Sequence, residues 1–309
     1  MYNRVDMKKN FVFWKKPAGD PVIDGFSRNP EYHAFFNKCN EVFEFRFADY
    51  TNSYIGNGIF KNVSRYEKGR IIPAEPEFKA DVIYQFKKMT DENFDYKVKI
   101  INSPEFRNWC GDKWEQYQLL GEFMTKTFLI TSENDLIEGL KLISTKKAVL
   151  KPNHGQKGED VTVFEKTHPP KLDPEILKNK KYLLQEFADT NITIDGIVSG
   201  IHDIKLITIG DHIFANLRTP ENNLGEVCTF DSPYSEISIS KLPADILDFH
   251  KKIKERVETL FKEQIYTVDI GITKNGPVVF ELNPHTAFPY IHFEYAEEFL
   301  NAMVDIFDK

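Results

Sequence analysis

Tyr266-Thr-Val-Asp-Ile-Gly-Ile-Thr-Lys-Asn-Gly-Pro-Val-Val-Phe-Glu-Leu-Asn283 reads as two short strands around an Asn-Gly turn, carrying Asp269, Glu281 and Asn283. A three-residue loop of Lys274, Asn275 and Gly276, with Gly276 left-handed, sets Asp269 directly opposite Glu281. Asn283 lies two residues beyond Glu281, so side-chain alternation puts all three oxygen-bearing groups on one face. The other face is then Val268, Ile270, Ile272, Val278, Phe280 and Leu282, uniformly apolar and fit for a core. A two-residue loop would move Asp269 opposite Leu282 and mix the faces. Clustered carboxylate and amide oxygens suit a hard divalent cation such as Mg2+, usually together with substrate phosphates. An ordinary hairpin with a solvated polar face fits the same alternation.

Upstream, residues 151–161 form a polar loop between two expected strands, Ala148 to Lys151 and Val161 to Lys166. Its glycines, Gly155 and Gly158, let backbone approach a polyphosphate, while Lys151 and Lys157 supply positive charge. A plain polar hairpin is the competing reading. The strand Tyr182 to Phe187 either presents backbone groups of Gln185, Glu186 and Phe187 to an adenine edge or is simply an edge strand leaving the core. Asp203 to Ile209 and Ile213 to Arg218 form a hairpin turning at Gly210-Asp211. It gathers Asp203, Lys205 and Arg218 near one sheet, where a planar guanidinium suits bidentate recognition of phosphate. Arginine occurs only eight times, and after Lys113 only as Arg218 and Arg256. Surface ion pairing would account for the same residues and would contribute little to stability.

The rest of the chain reads as mixed α/β. Residues 11–14 (Phe-Val-Phe-Trp) form a first buried strand, followed by a helix around 30–43 and a strand from Val42 to Phe47. A hairpin spans 59–73, with further strands at Asp81 to Phe86 and Lys97 to Asn102, so an open-sheet unit closes near residue 110. Asp112 caps a helix, with Glu115 completing a capping box. Ile246, Phe249, Ile253, Val257 and Leu260 recur at helical spacing between Pro243 and Phe261, and Tyr295 to Phe307 closes as an amphipathic helix.

A chain of 309 residues, 41% hydrophobic and with net charge −7, is globular and ill-suited to a nucleic-acid surface. No stretch reaches the length of a membrane span, and the start is polar rather than signal-like. Cys39, Cys110 and Cys228 lack metal-ligand spacing and read as reduced thiols, so a cytoplasmic protein is expected. The eight histidines include no H-x-x-x-H pair, which argues against zinc; His285 is kept as a possible substrate contact and His154 as a weaker one. Neither G-x-G-x-x-G nor a P-loop occurs in the first unit.

In order, Asp112-Lys113, Val149-Leu-Lys151-Pro with Gly155-x-x-Gly158, Gln185-Glu-Phe187, Asp203-Ile-Lys205, Arg218, Asp269-x-Gly271 and Glu281-Leu-Asn283 resemble the ATP-grasp superfamily of carboxylate–amine ligases. The branch resembled holds glutathione synthetase, D-alanine–D-alanine ligase and ribosomal-protein glutamate ligases. The resemblance implies an α/β (α+β) ATP-grasp fold divided into an N-terminal open-sheet domain (1–110), a lid with the glycine loop (111–186) and a core with the metal site (187–309). It implies that Lys113 and Lys151 contact ATP phosphates under a loop containing Gly155, Lys157 and Gly158. Gln185, Glu186 and Phe187 would lie at the adenine. Asp269, Glu281 and Asn283 would hold Mg2+, usually two ions, with Mn2+ as a substitute. Arg218, with Lys151 and Lys205, would stabilise charge as the γ-phosphate moves to a carboxylate, and Asp203, Lys205 and His285 would face the substrate. Small-molecule carboxylate and amine substrates, and a homo-oligomer, are the implied partners. A kinase on the same fold and a non-catalytic nucleotide-binding protein are the alternatives. Two segments depart from the family pattern. Lys205 stands where Arg is frequent, and Pro284-His-Thr-Ala-Phe-Pro289 replaces a small-residue turn.

Overall fold

The run Phe11-Val-Phe-Trp14 has no alternation because its strand, Asn10–Lys15, is covered on both faces. Phe11 and Phe13 point into one core cluster, Val12 and Trp14 into another. The protein is a computed structural model, which describes residues 8–15, 30–49, 53–85, 98–155, 160–220, 228 and 232–309. Asn10–Lys15 is central in a six-stranded sheet, flanked in parallel by Glu44–Asp49 and Val82–Gln85, with Lys99–Ile101 parallel beyond. The hairpin Ser64–Glu67 and Arg70–Pro73 completes the other edge. The expected hairpin over 59–73 is thus shorter. Ile59–Lys61 belongs instead to a three-stranded sheet with Tyr54–Gly56 and Glu77–Lys79, where Phe60 covers the Trp14 side. Val42, expected to begin a strand, ends the helix Pro30–Val42.

A four-stranded sheet follows, in the order Thr127–Ile130, Tyr182–Glu186, Lys147–Pro152, Thr162–Glu165. The helix Glu133–Leu142 packs on it through Leu136 and Leu140, a core separate from the others. The helix Lys113–Leu120 leads into this unit, capped by Asp112 as expected but without the Glu115 half of the expected capping box, since the Asp112 N–H donates to the Trp109 carbonyl instead. Asp112 accepts hydrogen bonds from the backbone of Trp114 and Glu115, an arrangement that stabilises by about 1 kcal/mol.

The third sheet is antiparallel, in the order Tyr234–Ile237, His212–Arg218, Asp203–Ile209, Ile265–Thr273, Gly276–Asn283. Its back carries Ile204, Leu206, Leu217, Val268, Ile270 and Leu282 against the helix Ala244–Glu258. Ile246, Ile253 and Val257 of that helix are buried, with His250 rather than Phe249 as the fully enclosed fourth member. Leu260 lies past the helix end and is exposed. The front is divided. Ile207, Ile209, Phe214 and Ile265 bury against the C-terminal helix Ala296–Asp308, whose Phe299, Met303 and Phe307 share a core with Phe11 of the first sheet and Phe35 of the helix Pro30–Val42. The other half of the front is polar.

The register of the decisive hairpin is as expected at its functional end and different at its turn. Asp269 pairs with Glu281 and Thr267 with Asn283, but Thr273 pairs with Gly276 across a two-residue turn, Gly276 having φ +110°. A bulge that leaves Phe280 unpaired reconciles the two registers. The apolar face is corrected accordingly. Val279 enters the core, while Phe280 turns its ring onto Gly271 on the polar side.

Candidate active site

Strand pairing places Glu236, Asn216, Lys205, Asp269 and Glu281 in one row across all five strands of the third sheet. Period-two alternation adds Asp203, Arg218 and Asn283 to the same face. Lys205 Nζ lies 2.5 Å from Asp269 Oδ1, and Arg218 Nη2 lies 3.0 Å from Asp269 Oδ2. Arg218 also grips Asp203 bidentately, Nε and Nη2 each donating over 2.7 Å to one carboxylate oxygen. Such fork-to-fork pairing fixes the guanidinium plane.

Burial presses Asp203 toward its neutral form and raises its pKa to about 6, against the pull of Arg218. Burial also opposes the charge on Arg218, but Asp269 and Asp203 outweigh it and leave the guanidinium more firmly protonated than usual. The two directions conflict for one ion pair; the bidentate geometry favours an ionised Asp203 at neutral pH.

Two further cations come from outside the sheet. Lys113 Nζ stands 3.2 Å from Glu281 Oε1 and donates to the Gly155 carbonyl over 2.8 Å. Lys151 Nζ donates to the Phe280 carbonyl over 3.2 Å. Burial lowers the Lys151 pKa to about 8; Glu281 pulls it up and Lys113 down. Asn153 ties these parts together, accepting from the Lys113 and Trp114 backbone. Four cations (Lys113, Lys151, Lys205, Arg218) thus face three carboxylates (Asp203, Asp269, Glu281) in a largely buried space. Such an excess favours an anion.

The expected ligand set fits Mg2+ chemically: Asp269 faces Glu281 across the strands, with Asn283 on the same face. Among the described residues there is no cluster of three or more His, Cys, Asp or Glu that could hold a metal by itself. Two carboxylates and an amide therefore leave coordination positions for water and phosphate, the arrangement Mg2+ prefers.

The other expected residues divide. Gly155, with φ +159°, receives the Lys113 bond; Lys157 and Gly158 lie outside the described residues. Gln185 is buried and donates to Thr127 Oγ1. The Glu186 carboxylate accepts from the Ser144 backbone and hydroxyl, 2.7 Å each, so it fastens a loop. The strand Tyr182–Glu186 is interior to its sheet, not an edge, and Phe187 is the first residue beyond the ladder. The Lys147 ammonium sits over the Phe187 ring. The His285 carbonyl accepts from Thr267 Oγ1.

Sequence reading missed Gln116 and Asn216. The Gln116 side chain brackets Leu282, donating to its carbonyl and accepting from its N–H, which anchors the strand between Glu281 and Asn283. No local pattern marks it. Asn216 precedes Arg218 by two residues, so alternation alone places it on the polar face; its amide oxygen accepts from Tyr295.

Compared by sequence, the chain matches no protein-family model and no curated protein. Compared by structure, it resembles an ATP-grasp ligase associated with RiPPs from Chryseobacterium gregarium, solved with ADP and a leader and core peptide. The TM-score is 0.63 at 12% identity, covering 97% of this chain and 96% of that one. D-alanyl-alanine synthetase A from Vibrio cholerae superposes with TM-score 0.61 at 9% identity, over 98% and 99% of the two chains. A RimK-domain ATP-grasp protein from Sphaerobacter thermophilus gives 0.58 at 13%, over 96% and 99%. The likeness runs through the whole chain rather than one sheet, and the protein therefore has the ATP-grasp fold.

Proposed function

We propose that the protein is an ATP-dependent carboxylate–amine ligase acting on amino acids or short peptides. The observation that carries this reading is the in-register row Lys205–Asp269–Glu281 beside the Asp203–Arg218 pair, with Lys113 and Lys151 closing over it. A solved neighbour in complex with a leader and core peptide and another that is a D-alanyl-alanine synthetase support the substrate class. The three-part division at 110 and 186 belongs to the same proposal, as does the use of Mg2+, with two ions or with Mn2+ in its place.

Asp269, Glu281 and Asn283 would hold the metal, which supplies charge neutralisation between the phosphates. Lys113 and Lys151 bind phosphate oxygens; both stand near Glu281 and so deliver ATP to the same edge of the sheet. The substrate carboxylate oxygen attacks the γ-phosphorus, the bond to the β–γ bridging oxygen breaks, and ADP leaves. Arg218, held planar by Asp203, stabilises the charge gathered on the transferring group, and Lys205 approaches from the neighbouring strand. The amine then attacks the acyl carbon, phosphate departs with its bridging oxygen, and the ammonium proton is lost to solvent. His285 is proposed to face the substrate at the end of this row, two residues past Asn283. Gln185, Glu186 and Phe187 are proposed to flank the base, with Phe187 the group free of the ladder.

The test is ADP release across pairs of amino acids and dipeptides, with mass spectrometry of the products. ADP formed only when an acid and an amine are both present is the expected result. A phosphorylated product from one substrate would make the protein a kinase, and failure to bind Mg-ATP would overturn both readings.

A further inference from the structure

Asn216 is the member of the front row whose side chain is only half bonded. The residue is 4% exposed, and its Oδ1 accepts from the Tyr295 hydroxyl over 2.5 Å. No described group takes either N–H of its Nδ2, yet that nitrogen is open to solvent, unlike the enclosed unpaired atoms of the interior. An amide set so deep with its donor unused is poised for an acceptor from outside the chain.

The donor is held in place from behind. The Tyr295 ring lies 5.1 Å from that of Phe214 and 5.7 Å from that of Phe293, and burial keeps its phenol protonated. With Oδ1 tied to this fixed hydroxyl, Nδ2 is turned away from Tyr295.

The register gives the acceptor a character. Asn216 pairs with Lys205 on one side and with Glu236 on the other, so the three side chains are neighbours on one face. Lys205 uses one of its three ammonium N–H groups on Asp269, and Arg218 lies two residues along from Asn216. Donors therefore gather on the Lys205 side, where they suit a carboxylate. Glu236 takes the Glu294 N–H over 2.8 Å on one oxygen; among the described residues nothing bonds its other oxygen and no cation pairs with it. That side suits an ammonium. From the metal edge the row runs Glu281, Asp269, Lys205, Asn216, Glu236. A carboxylate place beside the phosphates is thus followed, about one strand spacing further, by an ammonium place.

We infer that the acyl substrate is a free α-amino acid, its carboxylate held between Lys205 and Asn216 Nδ2 and its α-ammonium by Glu236. Tyr295 is a positioning residue that acts through Asn216. The inference rests on the ligase reading, to which it adds the molecule that is phosphorylated: an amino acid with an unblocked amino group, not a carboxylate of a longer peptide.

The full-length protein, saturated with Mg2+ and a non-hydrolysable ATP analogue, is titrated calorimetrically with each proteinogenic L-amino acid and D-alanine. At least one is expected to bind, and its desamino acid (propionate in the case of alanine) to bind about tenfold or more weakly. Glu236→Gln should weaken the amino acid and narrow that gap to about threefold or less, a change in selectivity that a merely structural role would not produce. Asn216→Asp should weaken both compounds by about tenfold or more, since it sets a second carboxylate against theirs. Asn216→Ala reads the same way should the aspartate variant fold poorly. Tyr295→Phe should weaken both compounds by about threefold or more with the gap preserved, and nucleotide affinity should stay within about twofold throughout. No binding of any amino acid while the nucleotide binds normally, equal affinity for the desamino acid, or unchanged affinities in the Asn216 variants would each overturn the subsite. Absence of nucleotide binding in the parent would instead overturn the ligase reading itself.

Discussion

Lys151 is the residue whose charge is most exposed to conditions. Its ammonium is enclosed, and burial brings its pKa from 10.5 to about 8. The folded state therefore binds its proton less tightly than the unfolded chain. This disfavours folding by up to about 3 kcal/mol below pH 8, a penalty relieved as pH rises from 8 toward 10.5. Ligand binding has the opposite dependence, because phosphate needs the charged form. Affinity for Mg-ATP should be level from pH 6.5 to 7.5 and fall by about tenfold at pH 9, measured calorimetrically. Lys151→Arg should flatten that fall, since a guanidinium stays charged throughout. Asp203 governs the acid side. With its pKa raised to about 6 by burial, it becomes protonated below that value and its hold on Arg218 weakens. Hence kcat should decline as pH drops through about 6. Asp203→Asn should lower kcat by about 10- to 100-fold across the whole range, with ATP affinity changed only severalfold. Equal losses in kcat and in ATP affinity would place Arg218 at the nucleotide alone. The meeting of Asp203 with Arg218 was legible in the sequence, because a hairpin turning at Gly210-Asp211 sets residue 203 opposite 218; that the pair is buried and also engages Asp269 was not.

At the scale of the element, the hairpin 265–283 shows what alternation can and cannot reveal. The pairing of Asp269 with Glu281 follows from polar and apolar residues taking opposite faces, and the observed register agrees there. The bulge at Phe280 escaped reading because its cause lies across the fold. Gly271 leaves a gap on the polar face that the Phe280 ring and Thr190 fill, so the strand gains by turning Phe280 over and sending Val279 inward. A Cβ on residue 271 would clash with that ring and stand 2.6 Å from Thr190 Cγ2. Gly271→Ala should therefore destabilise by about 2–3 kcal/mol in a urea titration. Adding Phe280→Leu should recover part of that loss, a non-additivity expected of groups in direct contact. Full additivity would remove the packing explanation for the bulge. Leu260 misled for a related reason. Its spacing continued the helical stripe, but the helix ends at Glu258 and the following turn carries Leu260 out to solvent.

For the whole molecule, the order of motifs along the chain implied an open-sheet unit, a lid and a core, while the way the sheets are joined had to be seen. Phe11, Phe35, Phe214, Phe299 and Phe307 share one core, so the first and third sheets are welded through the C-terminal helix. Asn102 reinforces that weld, bonding both the N–H and carbonyl of Ile265 as well as Pro284. The four-stranded sheet has its own core, Ile130, Leu136, Leu140, Leu150 and Leu184, and none of these residues belongs to the others. Its described ties to the site are polar: Lys113 to Gly155 and Glu281, Asn153 to Trp114, Lys151 to the Phe280 carbonyl. Apolar welds break only with global unfolding, whereas a few partly solvated polar ties open at much lower free energy. Hydrogen exchange without ligand should accordingly be faster in the strands Lys147–Pro152 and Tyr182–Glu186 than in Asn10–Lys15 and Ile265–Thr273. A non-hydrolysable ATP analogue with Mg2+ should slow exchange chiefly in the first pair, because phosphates bridging Lys113 and Lys151 to the third sheet add bonds where the ties are fewest. Equal protection of all four strands before ligand is added would mean that the polar contacts hold the four-stranded sheet as firmly as the aromatic core holds the other two.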